Sequence, residues 1–288
     1  MKRLILCCDG TWNAADSAEV SNISKLALAI ETREPVPARP RAPGDDTHQG
    51  PWDEPVLQQV VHYITGVGSR GYLADRILGG AFGYGFTSNV NEGYRVLCMN
   101  YDDGDEIYLF GFSRGAYTAR SIGGMVSSIG LLTPQALLGH QDGNKLDEAE
   151  RLYRDRRPGY KKRRAEFRRA SCRDGVRIEF LGVFDTVGAL GVPGPARRRN
   201  QFHDVRLPDT VQCARQALAI DERRMTFEPC VWTVPDPPGR TPEQARGSAV
   251  PPRERVRQVW FEGVHSDVGG GYPDSALSDT ALSWMVHE

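Results

Sequence analysis

The chain has almost no net charge, no long apolar run and no cysteine pattern. Its 36 Lys and Arg balance 37 Asp and Glu to a net charge of −1. That balance gives no global electrostatic attraction to nucleic acid, and no nucleic-acid partner is expected. No apolar stretch approaches the roughly 20 residues of a membrane-crossing helix. Lys2 and Arg3 precede an apolar run, Leu4 to Cys8, that is too short for a signal-peptide core. It suits a first β-strand, and cytoplasmic synthesis without a signal peptide is expected. The six cysteines show neither C-x-x-C spacing nor histidine pairing. Cys7 and Cys8, adjacent in that strand, are expected as buried thiols. There is no internal repeat, and no cofactor or metal is expected.

What is present is an alternation of strand-like and helix-like segments over 288 residues, taken as one α/β domain covering 1–288. Strands are expected at Leu4–Cys8, Val60–Ile64, Ile107–Phe110, Val176–Phe184 and Val256–Phe261. Helices are expected at Asn22–Ile30, Asn89–Asn100 and Pro208–Ile220, with Gly66–Gly85 irregular. Proline-rich, polar composition marks 34–55 and 235–252 as exposed loops. The pattern predicts a mainly parallel sheet with helices on both faces, and ligands at the carboxyl ends of its strands. The last residues, 281–288, fit an amphipathic helix with no stop signal. That helix is expected either to be truncated there or to fray.

The most informative stretch is Gly111-Phe112-Ser113-Arg114-Gly115. A strand-like run precedes it and a helix-like run, Ala116 to Ile122, follows. Strand, G-x-S-x-G and helix form the setting of a nucleophile elbow. A serine hydroxyl needs a histidine to take its proton and an acid to orient the imidazole. In this architecture the order is Ser, Asp or Glu, His. Asp185 ends the apolar run Phe180–Phe184, where such an acid belongs; the alternative is a turn cap. Among the histidines, His48 and His62 precede the serine, His140 precedes the acid, His203 lies in a loop and His287 stands near the end. His265 follows a strand end, precedes the glycine run Gly269–Gly271, and fits both order and context. Oxyanion donors are expected from the backbone of Arg114 and of Gly10, Thr11 and Trp12, in the loop after the first strand. Asp9 and Asn13 could equally close that turn with their side chains. Asp267 is read first as structural, with a backup acid or a cation ligand as alternatives; Asp267, Asp274 and Asp279 lack the spacing of an EF-hand.

The blocks Cys8–Asn13, Gly66–Gly68, Gly79–Gly83, Gly111–Arg120, Phe184–Gly188 and Gly263–Tyr272 occur in this order. Together they resemble domain-of-unknown-function family 2235, an α/β-hydrolase group that includes type VI secretion phospholipase effectors. The resemblance implies a triad of Ser113, Asp185 and His265. It also implies hydrolysis of carboxylic esters through an acyl-enzyme, of phospholipid acyl esters in particular. It further implies export by a type VI secretion system, with an immunity protein or the secretion apparatus as partner. Small soluble esters, or a hydrolase scaffold used only for binding, are the alternatives. A weaker one is an aspartate-based phosphatase, from Leu6-Cys7-Cys8-Asp9-Gly10-Thr11, in which Cys7 replaces the first aspartate.

Between Ser113 and Asp185 lies a charge block, 151–173, with eleven basic and two acidic residues. Its position suggests a cap-like insertion. Its charge suggests peripheral contact with an anionic membrane, at about 1 kcal/mol per basic residue near the surface. The plainer reading is a solvated helix face or loop.

Overall fold

The computed structural model describes residues 1–10, 20–30, 32, 57–66, 81–139, 145–187, 207–233 and 255–288. The expected loops 34–55 and 235–252, the glycine-rich residues 67–80, and His48, His140 and His203 lie outside the described residues.

The strands are β1 (Lys2–Cys8), β2 (Gln58–Ile64), β3 (Glu106–Phe112), β4 (Leu131–Leu132), β5 (Cys172–Arg173), β6 (Ile178–Phe184), β7 (Val211–Ala219) and β8 (Val256–Phe261). The helices are α1 (Asn22–Ala29), α2 (Ala81–Asn100), α3 (Arg114–Ile129), α4 (Pro134–Leu138), α5 (Lys145–Arg154), α6 (Tyr160–Ser171), α7 (His265–Gly269) and α8 (Ala276–His287). Six strands form one sheet in the order β2-β1-β3-β6-β7-β8, with every pairing parallel. β4 and β5 form a separate antiparallel pair. The fold is α/β, as the alternation predicts.

Period-two alternation along β1 builds both halves of the core. Leu4, Leu6 and Cys8 join the cluster that includes Tyr94 and Leu97 of α2 and Ile122 and Met125 of α3. Ile5 and Cys7 join the opposite cluster, with Ile23 of α1, Val268 of α7 and Met285 of α8. A strand buried on both faces reads as a continuous apolar run, hence Leu4–Cys8. Burial pushes the Cys7 thiol up to about 12, and the Cys8 thiol rises well above its ordinary value for the same reason. All six cysteines are free thiols. No described helix is long and apolar enough to cross a membrane.

Two expected elements change. The α2 backbone is helical from Ala81, so the irregular stretch ends earlier than expected. Packing outweighs the glycine penalty: a Cβ on Gly93 would lie 2.5 Å from Ile122 Cδ1, so its absence lets α2 lie close on α3. The larger correction is Pro208–Ile220, expected as a helix and found to contain β7. Its Ala, Gln and Arg content favours a helix locally. Pairing with β6 on one side and β8 on the other overrides that preference.

β7 also buries an arginine. Arg215 is only 2% exposed, and its Nε donates to Oε2 of Glu288 at 2.6 Å. Arg257 and the Trp284 indole N–H donate to the other carboxylate oxygen. The end of α8 is therefore tied to the sheet. Burial pushes Glu288 upward, but the two arginines prevail and hold its carboxyl below the usual range.

Removing one partner of a buried ion pair leaves an uncompensated charge. Arg215→Leu should therefore lower unfolding free energy by about 3 kcal/mol in urea titrations at neutral pH. Because Glu288 is depressed in the folded state, its contribution is complete above the ordinary carboxylate pKa and fades as pH falls through the depressed value. The stability gap between parent and variant should shrink below about pH 4. A gap that stays constant into acid would rule out the ion pair as its source.

Candidate active site

The sheet register sets the site. Phe112 of β3 pairs with Phe184 of β6, so Ser113 and Asp185 are the next residues on neighbouring strands. The Ser113 N–H donates to the Phe184 carbonyl at 3.1 Å, and the Asp185 N–H to the Ala217 carbonyl at 2.7 Å. Each chain then turns abruptly. Ser113 has φ 56° and Asp185 has φ 36°. Among the described residues they alone combine a side chain with positive φ. Such conformations are strained by about 1–3 kcal/mol each and concentrate at functional sites.

Glycines make the elbow at Ser113 sterically feasible. A Cβ on Gly115 would lie 2.1 Å from the Cys8 carbonyl oxygen, so only glycine lets α3 begin against the end of β1. Ser113 precedes α3, yet its hydroxyl makes no capping hydrogen bond. The first amides of α3, that of Arg114 foremost, lack intrahelical acceptors and carry the positive end of the helix dipole. Burial lowers the Arg114 guanidinium to about 10, so it remains a cation near neutral pH.

Asp185 divides its carboxylate between two partners. Oδ1 accepts the Ala219 N–H at 3.1 Å, and Oδ2 lies 2.6 Å from Nδ1 of His265. Asp185, His265 and Ser113 are 2%, 6% and 7% exposed, so this bond is shielded from water. The imidazole packs on the Phe112 ring with centroids 4.7 Å apart, which links it to the residue before Ser113. Gly269, in the glycine run after His265, serves close packing. His265 opens the short helix α7, and a Cβ on Gly269 would lie 1.9 Å from Phe112.

Asp9 follows β1 and is 2% exposed. Its Oδ2 accepts from Ser21 and Tyr63 hydroxyls, each at 2.5 Å, and from Ser24 at 3.1 Å. Burial, then Asp9, raises the Tyr63 phenol well above its ordinary value. The Gly10 N–H, an expected oxyanion donor, donates to Oδ1 of Asp9 at 2.6 Å. It therefore closes the turn in this structure. Thr11 and Trp12 lie outside the described residues. With its carboxylate engaged in this way, Asp9 is not placed as a phosphatase nucleophile.

Asp267, Asp274 and Asp279 have structural partners. Asp267 accepts the Val264 N–H at 2.9 Å at the start of α7. Asp274 accepts the Ala276 N–H at 3.1 Å, and Asp279 pairs with Lys25 at 2.5 Å. Among the described residues no cluster of His, Cys, Asp and Glu could hold a metal.

The charge block does not cap the site. It forms the end of α5, a turn, α6 and β5, and it docks at the far end of α3. Arg168 donates to the carbonyls of Ser127 and Ile129 in the last turn of α3. Ser113 stands at the other end of this sixteen-residue helix, about 24 Å away. Arg164 donates to the carbonyls of Leu152 and Tyr153 at 2.9 and 2.7 Å. Arg157 and Arg163 bind Asp155, which their hydrogen bonds hold far below its ordinary pKa. Much of the block's charge thus caps helix ends and organises a turn.

Sequence reasoning missed Glu222, Arg224 and Phe227, in the segment after β7. Phe227 meets the His265 ring edge-on, at 4.7 Å and 84°. Glu222 accepts the His265 N–H at 3.3 Å. Reading β7 as a helix hid the strand end that delivers them.

Residues 2–288 match the family described as T6SS, Phospholipase effector Tle1-like, catalytic domain. An uncharacterized protein of Saccharomyces cerevisiae, YEL023C, is 29% identical over 254 residues, covering 81% of this chain and 33% of that protein. The chain thus spans about a third of the yeast relative's length. A crystal structure of an uncharacterized protein from Pseudomonas aeruginosa aligns with a TM-score of 0.47 at 18% identity, covering 99% of this chain and 45% of that one. A structure of the Tle1 effector bound to the VgrG spike of the Type 6 secretion system gives 0.47 and 18%, covering 96% and 52%. On the strength of the match over nearly its whole length, the chain belongs to the T6SS phospholipase effector Tle1-like catalytic domain family.

Proposed function

We propose that this chain is a serine hydrolase that cleaves the acyl esters of phospholipids through an acyl-enzyme. The observation that carries the reading is the buried 2.6 Å contact between Asp185 and His265, beside a serine turned into a strained elbow. Family membership supports the phospholipid substrate and delivery by a type VI secretion apparatus.

Ser113 Oγ is the nucleophile and attacks the ester carbonyl. Nε2 of His265 takes the hydroxyl proton, while Nδ1–H donates to Asp185 and fixes the tautomer. The imidazolium that forms is stabilised by the Asp185 carboxylate, which the Ala219 amide keeps oriented. Charge developing on the carbonyl oxygen is met by the Arg114 N–H at the start of α3. Collapse of the intermediate releases the alcohol portion, which takes its proton from His265. Water activated by the same imidazole then frees the fatty acid.

A fluorophosphonate probe should label the parent and leave Ser113→Ala unlabelled. Ser113→Ala should lose at least roughly 10³-fold in kcat on a short acyl ester. Folded Ser113→Ala that turns over like the parent would end the serine mechanism. Asp185→Asn should lower kcat about 10⁴-fold, because it favours the wrong imidazole tautomer. With mixed-phospholipid vesicles, lysolipid and fatty acid should accumulate with the parent only. Turnover of short esters with no lysolipid release would move the substrate class to small soluble esters.

A further inference from the structure

Beyond the triad, one group of side chains converges on His265 with no part in the reaction steps above. Glu222 is nearly buried, with 6% of its side chain exposed. Its Oε2 accepts the backbone N–H of His265 at 3.3 Å and receives Nη2 of Arg224 at 2.7 Å. Its Oε1 accepts Nε and the backbone N–H of Arg224, at 2.9 and 2.8 Å. The Arg224 guanidinium is in turn stacked 3.7 Å above the Phe227 ring. Phe227 closes the circuit by meeting the imidazole edge-on. The chain of contacts therefore leaves the His265 backbone and returns to its side chain. The Arg224 hydrogen bonds pull the Glu222 carboxyl down to about 2, so the pair stays ionised through the neutral range.

We propose that Glu222, Arg224 and Phe227 form a positioning clasp that fixes the rotamer of His265 between Phe112 and Phe227. The proposal rests on the serine hydrolase reading for its kinetic consequence, but not for its structural one. Asp185 holds one ring nitrogen, which leaves the imidazole able to swing about that bond. The Phe112 ring packs on the imidazole, and the Phe227 ring, nearly perpendicular to it, restricts the swing. That aims Nε2 along a single direction. The ion pair sets Phe227: Arg224 is held bidentately by Glu222, so its plane over the phenyl ring is fixed as well. The Arg224 side chain is 54% exposed, yet two of its nitrogens and its backbone amide are engaged by Glu222. Each acts through His265 and carries no proton in the steps above, so they are positioning residues.

The test compares the parent with Phe227→Ala, Phe227→Tyr and Arg224→Lys, each checked for cooperative melting. Two readouts are used: kinetics on a short neutral ester, and the proton NMR signal of the imidazole N–H bonded to Asp185. Asp185→Asn assigns that signal. Phe227→Ala should lower kcat by about ten- to a hundredfold with KM little changed, as expected when a catalytic group is misaimed. Its imidazole signal should broaden or vanish. Phe227→Tyr keeps the aromatic ring and should restore both. Arg224→Lys keeps the charge but loses the fork and the flat stack, and should reproduce part of the loss. Folded Phe227→Ala with the parent's kcat and signal would overturn the clasp. If Phe227→Ala does not fold, Arg224→Lys with unchanged kcat and signal overturns it. A rise in KM for anionic phospholipid alone in Arg224→Lys, with kcat and signal intact, would also overturn it in favour of headgroup contact. A parent without esterase activity whose signal still depends on Phe227 would refute the hydrolase reading and leave the clasp standing.

Discussion

The parallel pairing of β3 with β6 is the constraint on which the rest of the site depends. Because Phe112 lies opposite Phe184, the residues that follow them leave the sheet side by side. Both are forced through positive φ, and both retain a ladder hydrogen bond as they leave. The strain is tolerable because the sheet holds the peptide on one side and buried partners hold the side chain of Asp185 on the other. A shift of one residue in this register would turn Ser113 and Asp185 to different faces and separate them.

A second layer of constraint is electrostatic. Asp9 and Asp185 are each 2% exposed and stand at the carboxyl ends of β1 and β6. Asp9 is satisfied by hydroxyls and an amide. Asp185 is satisfied by an amide and an imidazole. That difference separates their roles. A carboxylate surrounded by fixed hydrogen-bond donors anchors a loop. A carboxylate whose main partner can gain a proton can support proton transfer. Arginines of the basic block, by contrast, meet carbonyls and Asp155.

The residues after β7 show why part of the site could not be seen beforehand. Pro208–Ile220 has the composition of a helix, and only its neighbours β6 and β8 make it a strand. Once it is a strand, Ala219 presents an amide to Asp185, and the chain beyond it lands on His265. Arg215 likewise looks like a surface residue until it is set against Glu288, 73 residues away. A ring packed where a Cβ would stand makes Gly269, after His265, a contact point.

The sequence by itself determined the alternation of strands and helices, the elbow around Ser113, and the order of Ser113, Asp185 and His265. It could do so because each is a local pattern: apolar runs ending at a polar residue, and glycines where a side chain would collide. Tertiary structure alone decided the β7 strand, the second hydrogen bond on Asp185 and the contacts of Glu222, Arg224 and Phe227 with His265. It also placed the basic block at the far end of α3. These depend on register and burial between segments distant in the chain, and such pairings leave no periodic signature in either segment.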